Sequence, residues 1–169
     1  VFIENNVFSG NRHSIASNAG ARYVFRYNSV TQTNQTKNWG QVDAHGNTGA
    51  GNGTFSWEIY NNTFLSGITD GGIGWAIFIR GGDGVVFNNN FASGLVQAVG
   101  MTVESGCTSG YPVINQTRAA HIWGNSHNIA RIYSESGDCS SYFVQGRDYF
   151  IAARPGYTPY AYPHPGRNL

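Results

Sequence analysis

The sequence predicts an all-β fold, a right-handed parallel β-helix of about five to six coils, and three observations point to it. A six-residue phrase with Asn in its fourth position recurs five times, with that Asn at positions 6, 28, 62, 89 and 125. A repeat of this length is typical of a solenoid, whose units bury their apolar faces only by stacking on copies of themselves. Strand-favouring residues are frequent, and no segment carries apolar residues at helical spacing over three turns.

The repeated phrase is predicted to be a strand that bends at its Asn. Strict alternation would send the first and last apolar residues of the phrase to opposite faces, so a bend is required. Asn tolerates the left-handed conformation, and we expect it to be the corner. Stacked corners would place Asn over Asn in a ladder that satisfies the side-chain amides. The five phrases are Ile3–Phe8, Phe25–Val30, Ile59–Phe64, Val86–Phe91 and Ile122–His127.

A turn and a second predicted strand follow each phrase. The Asn-to-Asn spacing varies from 22 to 36 residues, which indicates coils of constant core with loops of variable length. The second strands are predicted at Ser14–Ser17, Gln41–His45, Ala76–Arg80, Ala98–Glu104 and Ile129–Tyr133.

Residues 1–169 are predicted to form a single β-helix domain, with the coils in 1–139 and the last strands and a capping tail in 140–169. Four prolines between positions 154 and 165 cannot donate to a sheet ladder, so this segment should leave the helix. We expect Tyr157, Tyr160 and Tyr162 to pack the tail across the last coil. Because the first residue already belongs to a repeat, we expect the chain to be the C-terminal part of a longer one.

Charge and cysteine content bound the classes of function. Charged residues make up 11% of the chain and the net charge is +1, so no basic surface for nucleic acid is predicted. No run of 18 apolar residues exists, so no membrane insertion is predicted either. Cys107 and Cys139 lie 32 residues apart, about one coil, and could form a disulfide suited to a secreted protein or remain two buried thiols.

Alternation along the second strands predicts one outward file of polar side chains. Val42 and Ala44 should face the core, so that Asp43 and His45 point outward. The same argument applies to the later strands and predicts that Thr102 and Glu104 point outward as well. Parallel strands lie about 4.8 Å apart, so neighbouring members of the file could touch. The rest of the file is Arg80, Glu104, Arg131 and Tyr133.

The candidate catalytic residues are His13, Asp43, His45 and Arg80. His13 immediately precedes the predicted strand Ser14–Ser17 and should therefore lie near Asp43. They combine a general acid or base, a carboxylate to orient it and a fixed cation. β-Elimination on an acidic polysaccharide needs a base for the proton alpha to a uronate carboxylate, and a cation or metal for the developing enolate.

Other assignments of the same residues stay open. Hydrolysis would need two carboxylates about 5 to 9 Å apart, and Asp43 with Glu104 is one pair, with Asp83 a third candidate. Glu104, Arg131 and Tyr133 are predicted to bind substrate. The exposed charges could also simply pair with one another, at about 0 to 1 kcal/mol each.

Several segments resemble bacterial right-handed parallel β-helix proteins of the pectate-lyase-like superfamily. The resemblance spans most of the chain. The superfamily includes polysaccharide lyases, glycoside hydrolases, epimerases and non-catalytic adhesins or tail spikes, and its lyases often use an Arg or Lys base with Ca²⁺ on acidic residues. Arg80 would take the Arg role. The segments that carry it are the Asn-x-Phe coils, Asn11–Ser17, Asp43–Gly46, Ile79–Gly81 and Tyr162–Pro165.

Two functions are predicted from these observations. The first is an extracellular or cell-surface enzyme, a polysaccharide lyase or glycoside hydrolase. No cofactor is assigned to it with certainty, and Ca²⁺ is the candidate. The second is a non-catalytic, adhesin-like or filament-forming β-helix that binds glycans or associates end to end with itself. Four ionisable side chains in one predicted place favour the first, and the abundance of Asn, Gly and Thr favours the second.

Overall fold

Fifteen short strands make up almost all of the regular structure in the part of the chain that the computed structural model describes, residues 1–46, 51–72, 74–92, 97–108, 110–134 and 137–168. A 3₁₀ helix covers Pro165–Asn168. The strands are β1 (Phe2–Glu4), β2 (Val7–Ser9), β3 (Ile15–Ser17), β4 (Arg22–Arg26), β5 (Ser29–Gln32), β6 (Gly40–Ala44), β7 (Ser56–Tyr60), β8 (Thr63–Ser66), β9 (Trp75–Ile79), β10 (Asp83–Phe87), β11 (Asn90–Phe91), β12 (Gln97–Met101), β13 (Ala120–Trp123), β14 (Ala130–Ile132) and β15 (Tyr149–Phe150).

The strands form three sheets in which every pairing is parallel. Sheet A has the order β1-β4-β7-β10-β13-β15, sheet B the order β11-β8-β5-β2, and sheet C the order β14-β12-β9-β6-β3. Each of the first four passes of the chain therefore adds one strand to each sheet. This confirms the predicted all-β class with parallel pairing, and it is the arrangement of a parallel β-solenoid.

The repeated asparagines stack in a single column between sheets A and B. In each step the backbone N–H and the Nδ2 of one Asn both donate to the Oδ1 of the next, with N–Oδ1 distances of 2.8 to 3.0 Å and Nδ2–Oδ1 distances of 3.0 to 3.1 Å. The column satisfies amides that the interior would otherwise leave without partners. Its members are Asn6, Asn28, Asn62, Asn89 and Asn125.

The prediction that these asparagines occupy the left-handed corner is wrong. The left-handed residue is the one before each of them, with φ between 52° and 63°. The bend at that residue turns the chain from sheet A to sheet B, so that the following amide lies along the stack. The corner residues are Asn5, Tyr27, Asn61, Asn88 and Gly124.

The predicted inward rows of the second strands lie in the hydrophobic core. Val42 and Ala44 of β6, like Ile77 and Ile79 of β9, are completely buried among the core side chains of the other two sheets. Because the period of a strand is two residues, burial of these rows turns the intervening residues of sheet C to the outer surface.

A disulfide joins Cys107 to Cys139, and both residues are buried. It ties the loop that follows β12 to the segment beyond β14. The Thr102 side chain, which alternation predicts to be exposed, is completely buried, and its hydroxyl lies 3.9 Å from Cys139 Sγ. The expectation failed at Thr102 because this disulfide-linked segment covers its position.

The outer face of sheet A carries a row of aromatic side chains that is covered by residues 157–164, which we call the C-terminal strap. Tyr60, Phe87 and Trp123 stack in successive strands, with ring centroids 4.5 Å apart at each step. Tyr157 of the strap packs against this row, and its hydroxyl donates to Glu58 at 2.6 Å.

The strap continues towards β1, where Tyr162 stacks on Tyr27 with a centroid distance of 3.7 Å. Arg26, which is fully buried, donates to the carbonyls of Tyr160 and Ala161 at 2.7 and 2.8 Å. The tail was expected to lie across the last coil. Its contacts instead run across the outer face of sheet A, from Trp123 of β13 back to Phe2 of β1, so the tail is not confined to the last coil.

Candidate functional site

Two strands of sheet C, β6 and β9, place Asp43, His45 and Arg80 on one outer surface. Asp43 lies in β6 between two core residues, His45 directly follows β6, and Arg80 directly follows β9. The Arg80 amide donates to the Ala44 carbonyl at 2.8 Å, which sets Arg80 level with His45. The predicted juxtaposition of these residues is therefore present in the structure.

Arg80 is the centre of an ionic cluster that comprises His13, Asp43, His45, Arg80 and Glu104. Its Nε and Nη2 donate to the two Asp43 oxygens at 3.1 and 2.6 Å, which is a bidentate pair. Its Nη1 donates to Glu104 Oε1 at 2.7 Å. Asp43 is only 2% exposed, so the guanidinium compensates a carboxylate that the surrounding side chains have removed from water.

The tautomer of His45 follows from its neighbours. Its Nε2 lies 2.8 Å from Arg80 Nη2, and an arginine can only donate, so this nitrogen accepts. The proton is then on Nδ1, which donates to Glu104 Oε1 at 3.2 Å. His45 therefore lies between a cation and a carboxylate, and its Nε2 is also 3.4 Å from Asp43 Oδ2.

Glu104 supports both neighbours and is held in its ionised form. Its second oxygen accepts the Gly46 amide at 3.2 Å. Burial alone would raise the pKa of Glu104, but the hydrogen bond from His45 and the charge of Arg80 outweigh burial and hold the pKa below its ordinary value of 4.5. A β-carbon on Gly46 would approach the Arg80 carbonyl to 2.4 Å, so only glycine fits at this position.

His13 is placed differently from His45. Its Nδ1 lies 2.7 Å from the Gly40 carbonyl, which can only accept, so this nitrogen carries the proton. The same atom lies 3.6 Å from Asp43 Oδ2. The Nε2 of a neutral His13 therefore has its lone pair available, and the side chain is 17% exposed.

Four of the five cluster residues, all except Glu104, line a groove of about 610 Å³. Trp39 is 43% exposed and Tyr133 is 37% exposed, so aromatic surface faces the groove. Trp75 lies edge to face against Tyr133, with centroids 4.9 Å apart. Aromatic faces beside hydrogen-bonding groups are suited to sugar rings, which present C–H groups and hydroxyls.

Sequence reasoning missed part of this groove. Trp39 lies just before β6, in the loop that lengthens this coil, where alternation assigns no direction. Trp75 extends over the sheet because the neighbouring strand has Gly100, where a β-carbon would lie 2.6 Å from the Trp75 ring. Arg12 also lines the groove, and only its neighbour His13 was selected.

The three residues predicted to bind substrate lie in three different environments. Glu104 belongs to the ionic cluster, and Tyr133 lines the groove. Arg131 is exposed on β14 opposite Gly100, and it is not among the residues that line the groove. Their roles in binding stay predictions.

The carboxylates proposed for hydrolysis occupy structural positions. Asp43 and Glu104 bind different edges of the same guanidinium. Asp83 lies at the start of β10 in sheet A, where one oxygen accepts the Arg118 and Ala119 amides at 2.7 and 2.8 Å. Asp83 therefore holds the chain that enters β13 and does not join the groove.

Among the described residues, no group of three or more His, Cys, Asp or Glu side chains is arranged to hold a metal ion. Nor does that part of the chain contain a helix long and apolar enough to cross a bilayer. Comparison of the sequence and structure with protein families, curated proteins and solved structures finds no match.

Proposed function

We propose that this protein acts outside the cell on an acidic polysaccharide, which it binds in the groove on sheet C and cleaves by β-elimination. One observation carries the proposal: four members of the ionic cluster and the exposed aromatic rings of Trp39 and Tyr133 share a single groove. We further propose that the solenoid is right-handed and related to the pectate-lyase-like superfamily. The disulfide between Cys107 and Cys139 supports an oxidising location.

His13 is the proposed base. Its Nδ1 proton is committed to the Gly40 carbonyl, which leaves the Nε2 lone pair to take a proton from substrate. Asp43, 3.6 Å from Nδ1, stabilises the imidazolium that forms. His45 is less suited to this role, because the lone pair of its Nε2 already accepts from Arg80.

The reaction is balanced without a further reactant. His13 takes the proton alpha to the uronate carboxylate, and the C–H electron pair forms a double bond to the beta carbon. The bond from the beta carbon to the glycosidic oxygen breaks, and that oxygen takes up a proton from water. His13 then returns its proton to the hydroxide that remains, which regenerates the base and the water. The products are a reducing end and an unsaturated uronate.

Elimination suits this cluster better than hydrolysis. A glycosidase needs one carboxylic acid that holds its proton at working pH, which requires a raised pKa. The pKa of Glu104 is lowered instead, and Asp43 is bound on both oxygens by Arg80. Both carboxylates therefore hold the guanidinium and the imidazoles in place.

The test is incubation with polygalacturonate, alginate and hyaluronate, while absorbance of unsaturated products and reducing ends are followed. We expect wild type to raise both signals with at least one polymer and His13→Ala to lower the rate at least a hundredfold. His127→Ala is the matched control, because His127 is exposed away from the groove. Equal rates in wild type and His13→Ala would exclude His13 as the base, and reducing ends without unsaturation would indicate hydrolysis.

A second candidate function is a non-catalytic solenoid that binds glycans or assembles with itself. Arg80, Asp43, Glu104 and His45 satisfy one another, as in a purely structural ion-pair network. Val7 in β2, the edge strand of sheet B, is 82% exposed, which is a surface on which a second copy could stack. Glycan binding without product, or a concentration-dependent increase in mass by light scattering, would favour this function.

A further inference from the structure

Arg12 is a second arginine in the groove, and its environment is unlike that of Arg80. Its guanidinium carbon lies 3.9 Å from the centroid of the Trp39 ring, and both residues line the groove. Arg12 is exposed, and no carboxylate among the described residues pairs with it. We infer that Arg12, stacked on Trp39, binds the carboxylate of the uronate sugar; this rests on the proposed function of the same groove.

Arg80 cannot supply that contact in the observed arrangement. Four of its five N–H groups are used: Nε and one of Nη2 on Asp43, the other of Nη2 on His45, and one of Nη1 on Glu104. Its charge faces two carboxylates. Arg80 is therefore a positioning residue, and a substrate carboxylate would have to displace Asp43 or Glu104 to reach it.

The stack on Trp39 prepares Arg12 for a planar anion. Stacking occupies a face of the guanidinium and leaves the N–H groups in its plane free to donate. Two parallel N–H groups match the two oxygens of a carboxylate. Because the indole already restrains the guanidinium, less side-chain entropy is lost when the anion binds.

The position of Arg12 next to His13 connects recognition to chemistry. The proton removed in β-elimination is on the carbon that bears the carboxylate, so the carboxylate receptor and the base must be close. Arg12 and His13 are consecutive in the chain and line the same groove. A carboxylate on Arg12 would place negative charge, which increases as the enolate forms, beside a fixed cation.

The inference is tested with pairs of polymers that differ only in charge. Polygalacturonate and alginate are each compared with their own methyl ester by native affinity electrophoresis. Wild type and variants are measured, and the same substitutions are repeated in a His13→Ala background so that the polymers stay intact. The variants are Arg12→Gln, Arg12→Lys, Trp39→Ala and, as a matched control on an exposed arginine outside the groove, Arg118→Gln.

We expect wild type to bind one free acid at least about tenfold more tightly than its ester. Arg12→Gln should lose that preference and keep its affinity for the ester within about twofold, because only the charged contact is removed. Arg12→Lys should recover part of the preference, since it keeps the charge and loses the planar pair of donors. Arg118→Gln should match wild type.

The outcomes separate this inference from the proposed function. If Arg12→Gln binds the free acid as wild type does, the role of Arg12 is refuted while groove binding stands. If wild type binds neither form of any polymer, both proposals fail. Preference for the acid that depends on Arg12, without cleavage, would keep the inference and remove the elimination reaction.

Discussion

Replacing Asn62 by Ala tests whether the asparagine column stabilises the solenoid. Asn62 is 1% exposed, and its side chain is bonded on every side. Its Nδ2 lies 2.9, 3.0 and 3.1 Å from the Phe25 carbonyl, Asn89 Oδ1 and the Tyr60 carbonyl. Its Oδ1 accepts from the backbone N–H and the Nδ2 of Asn28 at 2.9 and 3.1 Å.

The expected loss can be worked out from these contacts. An NH₂ group has two hydrogens, so the three Nδ2 contacts count as two hydrogen bonds, and the substitution removes four in all. At about 0.5 to 1.5 kcal/mol for each net hydrogen bond, the free energy of unfolding should fall by about 2 to 6 kcal/mol. The upper half of that range is favoured, because the Asn28 amide is left buried without an acceptor.

The control is the same substitution at the exposed end of the same column. Asn6 donates through its side chain to the Glu4 carbonyl and to Asn28, and water can replace both contacts. Asn6→Ala should therefore cost less than about 1 kcal/mol. Equilibrium urea unfolding, followed by circular dichroism, measures both. Equal losses at Asn62 and Asn6 would refute the view that the buried amides stabilise the fold.

Three further outcomes are expected. Arg80→Met should destabilise the protein by about 3 to 5 kcal/mol in urea, because it leaves Asp43 buried without its cation; an unchanged midpoint would contradict this. Reducing the bond between Cys107 and Cys139, which are 32 residues apart, should cost about 3 to 4 kcal/mol, with a Cys107→Ser, Cys139→Ser double variant as the check that reduction itself is responsible. Because folding lowers the pKa of Glu104, its contribution to the free energy of unfolding is present above the ordinary pKa of 4.5 and is lost as pH falls below that value. Glu104→Gln should therefore make stability depend less on pH in that acid range. A parallel decline in wild type and variant would contradict this.

The repeat and the outward file were accessible from sequence because each depends on local chemistry. The Asn in the fourth position of each phrase marks the column, and the apolar pair Val42 and Ala44 fixes the direction of Asp43 and His45. The alternation of inward and outward side chains along a strand is retained in the folded protein wherever one face of the sheet is buried. These signals were enough to predict that residues far apart in the chain lie side by side on one surface.

The features that sequence reasoning missed depend on loop conformations and on segments, distant in the chain, that pack over the surface. Thr102 follows the outward period and is nevertheless buried, because a disulfide-linked segment lies over it. Trp39 lies in an irregular loop, so no period predicts that it faces the groove. The sequence also could not show that neighbouring residues occupy the N–H groups of Arg80. The same backbone allows the guanidinium to face either substrate or those neighbours.

The C-terminal strap changes how the stack can come apart. In a solenoid of independent neighbours, terminal coils can open while the interior stays folded. Here Arg26, in the second coil, is bonded to the Tyr160 carbonyl 134 positions further along the chain. Peeling away the first coils therefore requires the strap to detach from them as well. We expect the coils to unfold in one cooperative event instead of fraying one by one, and folding to end slowly, since the strap can dock only after the strands beneath it are assembled.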